Sequence, residues 1–242
     1  MATEKKTMMC WSLNIERLNI EHIVAELFDF SRPGAVSIPE VVQEEQRQIL
    51  LNQIRHVQES PHNPLHAVQR EVGQVVQEMQ TFYITSDGCT FPSAGKDIWS
   101  IIYALQDVAA DYAQIHRKLG VVGNFSHQYF NSIGLHYYPQ GSLGITPHQD
   151  YASDVDIVAN FILEGSAPFF VCKNRKGDDP VQLDASPGSL ILMRAARCEE
   201  EQRFRPFHYV QGPMQENRYT VLIRTRNAER YHACVEKYEK TT

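Results

Sequence analysis

The sequence predicts an α+β fold in which a helical first half supports a double-sheet jelly roll over residues 121–230. Two observations carry this reading. Up to Leu119 the clearest apolar patterns recur at helical spacing, and after Gly120 they give way to eight short strand-like runs separated by turn residues. No internal repeat, low-complexity segment or Gly/Ser linker interrupts the chain, so residues 1–242 read as a single domain, with residues 1–120 supplying helical support and lid segments.

Residues 19–30 carry Ile20, Ile23, Val24 and Leu27 on one helical face and end before Arg32-Pro33-Gly34. Ser37, with Pro39 and Glu40 after it, reads as the opening of a second helix over 40–58, whose Leu50, Ile54 and Val57 face a core. Pro61 and Pro64 mark a loop, and 74–84 alternates as a strand. The strongest helical period runs over 94–119, through Ile98, Ile102, Leu105, Val108, Tyr112 and Ile115. Strand-like runs then cover 129–138, 143–147, 155–163, 168–173, 180–184, 189–194, 206–210 and 217–226, with Pro139-Gln140-Gly141, Pro187-Gly188 and Gly212-Pro213 among the turns. The turn-rich segments 61–74 and 87–96 are expected to act as lids over the barrel mouth.

Composition narrows the function classes. The 27.7 kDa chain is 43% hydrophobic and 10% aromatic with a mean hydropathy of −0.37, and no apolar run approaches the twenty or so residues needed to span a bilayer. A net charge of −6 argues against a broad electrostatic grip on nucleic-acid backbones. Five cysteines without a C-x-x-C pair, and an N-terminus that meets Asn and Glu before any apolar stretch, lead us to expect a cytoplasmic protein.

An isolated histidine is usually an ordinary core or surface residue, so the ten histidines matter only where they fall into a pattern. His62 and His66 are set aside because Pro61 and Pro64 make their segment a loop. His148-Gln149-Asp150, followed by His208, is different. On an extended segment, side chains two apart project to the same face, so His148 and Asp150 could reach one ion, and a jelly roll brings the strand of His208 alongside. Two imidazoles and one carboxylate on one face of an octahedron leave three positions open, which suits Fe(II). Zinc accepts the same ligand types, so the triad alone leaves both metals open.

Ten residues beyond His208 comes Arg218, whose strand places Arg218, Thr220, Leu222 and Arg224 on one face. A permanently charged guanidinium beside a hydroxyl is suited to a small dicarboxylic acid, which a zinc hydrolase does not need. Tyr138 is expected to add a phenolic donor from across the barrel. Arg194, directly after an apolar strand, and Tyr151, directly after the ligand pair, are the candidate substrate contacts.

In these segments the chain resembles the Fe(II)/2-oxoglutarate-dependent dioxygenases, and within them the AlkB-like branch. The resembling pieces are Tyr138-Pro139-Gln140-Gly141 leading to His148-Gln149-Asp150, Pro187 to Met193, Arg205-Pro206-Phe207-His208, and Arg218 to Arg224. They span roughly residues 129–226, and the first 120 residues carry none of them. The resemblance implies a double-stranded β-helix, or cupin-like, core with His148, Asp150 and His208 as the catalytic iron ligands. It also implies that Arg218 pairs with the distal carboxylate of 2-oxoglutarate, helped by Tyr138 and Thr220, with Arg224 near the keto-acid end and O2 as cosubstrate. The family's asparagine two residues before the tyrosine is His136 here, a departure at a cosubstrate contact. Asp150, where halogenating relatives look to carry a small residue, favours hydroxylation or oxidative demethylation. The net charge, with no Lys/Arg-rich run, favours a small organic substrate over a nucleic acid. The alternatives are an AlkB-like nucleic-acid demethylase, and a cupin-like metal protein working without 2-oxoglutarate as hydrolase, isomerase or binding module.

Overall fold

A computed structural model of the chain describes residues 14, 19–58, 66–72, 75–85, 132–196 and 201–226, with the backbone alone for 57–58, 66–72, 75–85 and 226. The expected helix over 94–119 and the expected lid over 87–96 lie outside the described residues.

Two helices, α1 (Ile20–Phe28) and α2 (Glu44–Gln58), precede most of the sheet. The strands are β1 (Ala35–Ile38), β2 (His66–Val72), β3 (Val75–Thr85), β4 (Ser132–Tyr138), β5 (Gly144–His148), β6 (Asp154–Glu164), β7 (Phe169–Cys172), β8 (Val181–Leu183), β9 (Leu190–Arg194), β10 (Phe207–Gln211) and β11 (Arg218–Arg226). Every pairing is antiparallel, in the order β1-β9-β6-β11-β4-β3-β5-β10-β7-β8, with β2 on β3. Strand β3 pairs with β4 through residues 80–85 and with β5 through Gln77 and Glu78, so the sheet folds over into two layers. This is the jelly roll the sequence predicts, and β4 to β11 are the eight strands read from its second half.

Side-chain alternation divides the apolar residues into two cores. Ile157, Ala159, Phe161 and Leu163 of β6, Leu190 and Leu192 of β9, and Tyr219, Val221 and Ile223 of β11 pack with Ile23, Leu27, Leu50, Leu51 and Ile54 of the helices. The intervening Val158, Ile162, Ile191, Met193 and Leu222 turn inward to meet Ile145, Phe169, Val171 and Val210 of the opposite layer. That is why β6 reads as an unbroken apolar run, since both of its faces are covered.

Helix α1 forms where expected, with the Asn19 side chain accepting from the His22 N–H at its start. The second helix begins at Glu44, not near 40, and Ser37 is not its cap. Residues 35–38 instead form β1 on β9, with the Ser37 hydroxyl on the Asp184 carbonyl. Glu40 takes a positive φ of 55°, and the Val41 and Val42 N–H groups both donate to the Gly188 carbonyl, so the chain docks before it coils. The segment expected as a loop over 61–74 contains β2.

Backbone crowding brings β5 and β10 together. A Cβ at Gly144 would stand 2.2 Å from the Val210 carbonyl oxygen, and one at Gly212 would stand 1.5 Å from that of Ser142.

Candidate metal centre

Neighbouring strands β5 and β10 put His148 and His208 in direct register, and their rings lie 4.3 Å apart. Asp150 follows on the loop beyond β5, its carboxylate 3.9 Å from His208 Nε2. One ligand atom from each of the three lies within 4.8 Å of the others, so the structure brings together the triad the sequence singles out. His148 Nδ1 lies 2.9 Å from the Thr146 carbonyl and His208 Nδ1 3.4 Å from that of Pro206. Donation to a carbonyl through Nδ1 leaves each Nε2 as the free lone pair that a metal requires.

Electrostatics hold the triad in its ligating protonation state. Burial, reinforced by His208, lowers His148 to about 3. Burial likewise lowers His208, and lowers His136 well below the usual imidazole value. Burial alone would raise Asp150, but the adjacent positive charge of Arg224 outweighs it and keeps the group ionised. Two neutral imidazoles beside an ionised carboxylate form the donor set of a 2-His-1-carboxylate centre.

Arg224 sits against this carboxylate, with Nη2 3.4 Å from Asp150 and Nε 3.6 Å from the buried Asp154. These two counter-ions are internal. Arg218 is fully buried, and its Nε, Nη1 and Nη2 have no hydrogen-bond partner. Burial lowers it to about 10. Its Cα partner on β4 is Tyr138, whose ring face lies 5.4 Å from the guanidinium carbon. Tyr138 thus approaches Arg218 from the next strand of the same layer, not from across the barrel, and presents its π-face. Thr220 pairs with His136 one step along, its buried hydroxyl also without a partner.

His136, Tyr138, His148, Asp150, His208 and Arg224 help to line about 320 Å³ of non-atom space, part of it open to solvent. Asn160 of β6 joins them, its buried side-chain oxygen unpaired. Sequence reasoning missed Asn160, although a lone amide inside the apolar run Val158–Leu163 was the available signal.

The two candidate substrate contacts fare differently. Tyr151 is 45% exposed beside Asp150. Arg194 borders a small cavity with Asp150 and His208, but its guanidinium donates to the carbonyls of Phe204, Leu27 and Asp29 and stacks on Phe30 at 4.9 Å. Those bonds make it a strut between α1 and the loop before β10.

Neither a family model nor a curated protein matches the sequence. Solved structures do match it. A prolyl hydroxylase from Trichoplax adhaerens, in complex with a hypoxia inducible factor peptide, superposes with a TM-score of 0.61 at 15% identity over 88% of this chain and 93% of its own. T7H from Neurospora crassa, in complex with alpha-KG, gives 0.58 at 15% over 86% and 79%. A 2OG-Fe(II) oxygenase family oxidoreductase from Burkholderia pseudomallei gives 0.54 at 16% over 86% and 90%. The chain has their fold. Its antiparallel core is the double-stranded β-helix of these oxygenases, with the His-Asp-His cluster inside.

Proposed function

We propose that the protein is an Fe(II)/2-oxoglutarate-dependent oxygenase that hydroxylates, or oxidatively demethylates, a small organic substrate. One observation carries the reading. Arg218 is a buried guanidinium with no hydrogen-bond partner on any nitrogen, on the strand face that also carries Arg224, which touches the His-Asp-His cluster. A cation in that state is costly until an anion enters, and its planar fork selects a carboxylate.

Under this reading His148, Asp150 and His208 hold Fe(II) and leave three positions open. Arg218 binds the distal carboxylate of 2-oxoglutarate beside Tyr138 and Thr220, and Arg224 steadies Asp150 at the keto-acid end. When bound, iron, 2-oxoglutarate and O2 supply the oxidising chemistry. The chain keeps both histidines neutral, orients the cosubstrate and excludes water with Phe169, Met193 and Leu222. A cupin-like hydrolase or isomerase gives Arg218 no task, which puts that alternative second.

The small-substrate preference rests on the net charge of −6. Related folds have been solved with varied molecules, T7H with thymine and JOX2 with JA. The AlkB-like segments favour the nucleic-acid alternative, while the net charge and the lack of a Lys/Arg-rich run weigh against it. Tyr151 is the candidate substrate contact at the mouth. We take the chain as one domain working in the cytoplasm, in keeping with five cysteines that include no C-x-x-C pair; among the described residues no helix is long and apolar enough to cross a membrane.

Anaerobic addition of Fe(II) and 2-oxoglutarate is expected to give a weak visible charge-transfer band that disappears in Arg218→Met. Absence of the band in wild-type protein with bound iron would sink the proposal, as would 2-oxoglutarate turnover that persists in His148→Ala. Binding of methylated oligonucleotides at two salt concentrations separates the nucleic-acid reading from the small-molecule one.

A further inference from the structure

We propose that Gln149 and Arg205 form a reciprocal clasp that sets the spacing between the two metal-ligating segments, making both of them positioning residues. The Gln149 side-chain amide donates to the Arg205 carbonyl at 2.7 Å, and the Arg205 guanidinium donates through Nη1 to the Asp150 carbonyl. Each residue reaches with its side chain for the other segment's backbone, so sliding Asp150 relative to His208 breaks both bonds at once. A third bond runs the same way, from the Gln202 side-chain amide to the Ala152 carbonyl at 3.0 Å.

The strand ladder does not do this work by itself. The β5–β10 ladder sets His148 against His208, but Asp150 lies beyond the end of β5, so the ladder alone does not fix its position. The loop carrying Arg205 is itself braced. Arg205 Nε donates to the Gln202 carbonyl, the Phe204 N–H to that of Glu201, and Arg194 from β9 to that of Phe204. The Phe204 ring stacks on Phe30 at 4.5 Å, tying the loop to the end of α1. Asp150 is thus restrained twice, through its backbone by Arg205 and through its carboxylate by Arg224. Groups that orient ligands without touching the metal commonly contribute ten- to a hundred-fold to metal affinity.

The inference rests on the metal centre proposed above, and the test keeps the two separable. The full chain is titrated with Co(II), and the visible d–d absorption is followed as a readout of coordination geometry. Gln149→Met and Arg205→Met, which keep the volume but remove the donors, are each expected to weaken binding about ten- to a hundred-fold and to alter the band. Arg205→Lys, which still donates to Asp150, recovers part of the loss. The double variant is expected to lose less than the two single losses combined, because both bonds restrain the same movement of one segment against the other. As a control, Arg55→Met breaks the ion pair of α2 with Glu164 and is expected to lower Tm without changing Co(II) affinity. If Gln149→Met fails to fold, Gln149→Asn, too short to reach the Arg205 carbonyl, carries the same expectation. No Co(II) binding by the wild type overturns the metal centre itself. Wild-type binding with unchanged affinity and band in the variants overturns the clasp alone, as does affinity that merely tracks Tm across all variants and the control.

Discussion

Two arginines on the inner layers of the barrel look alike in the sequence and differ in what the fold does with them. Arg194, at the end of β9, and Arg218, at the start of β11, are both buried cations following or opening an apolar strand. The fold surrounds Arg194 with three carbonyl oxygens and an aromatic ring, whereas every nitrogen of Arg218 lacks a hydrogen-bond partner. A satisfied buried charge holds elements together. An unsatisfied one is costly until an anion reaches it, which is the ground for the role proposed for Arg218, so the contrast lies in partner count and not in burial.

The largest effect should come from exchanging each arginine for methionine. Arg218→Met is expected to weaken 2-oxoglutarate binding by the roughly 2–5 kcal/mol of a lost buried charge partner, about thirty- to several-thousand-fold. The same change should leave the ligand-free protein as stable or more so, since it removes a lone buried charge. Arg194→Met should do the reverse, costing about 3 kcal/mol of stability by stranding its carbonyl partners while leaving 2-oxoglutarate affinity within a few-fold. Isothermal titration and denaturant unfolding of the two variants check this, and stability losses of equal size would erase the distinction.

A smaller effect probes the strut from its other side. Gly34 has φ +79°, and a Cβ there would lie 2.6 Å from Arg194 Nη2. Gly34→Ala should therefore cost about 1–2 kcal/mol, and less in the Arg194→Met background, where the clash is gone; additive losses in a double-mutant cycle would contradict the contact.

The smallest effect is in pH. Burial pulls His148, His208 and His136 below their ordinary value, so between about pH 6.5 and the lowered values the unfolded chain binds protons that the folded one does not. Stability is fully present above pH 6.5 and is lost as pH falls through that window, with Asp150, also lowered, adding to the loss at more acidic pH. Tm of metal-free protein from pH 8 to 5 should fall, and fall less steeply in His136→Asn. An identical slope would remove His136 from the account.

The barrel was legible because both of its faces leave a trace in the sequence. Turn residues bounded the strands, and the shared face of Arg218, Thr220, Leu222 and Arg224 followed from a period of two. The triad was legible for the same reason, since His148 and Asp150 flank a single residue. Strand β1 was not, because four residues between a glycine and a proline are too few to establish a period, and its pairing on β9 is a tertiary choice. Nor was the fate of Arg194, because its partners lie 167 and 10 residues away in the chain. Tyr138 was placed on the wrong side of the barrel because strand order, unlike strand existence, is decided by long-range pairing.

The crowded glycines at the mouth of β5 have a consequence for how this protein can vary. Gly144 lies four residues before His148, with φ +78° and the backbone of Val210 and Gly212 where a side chain would go. Any larger residue must wedge β5 away from β10, and the wedge acts as a lever whose far arm carries His148 past His208. Random mutagenesis scored on metal-dependent activity should therefore return Gly144 and Gly212 among its inactive positions, indistinguishable by phenotype from the ligands although neither touches them.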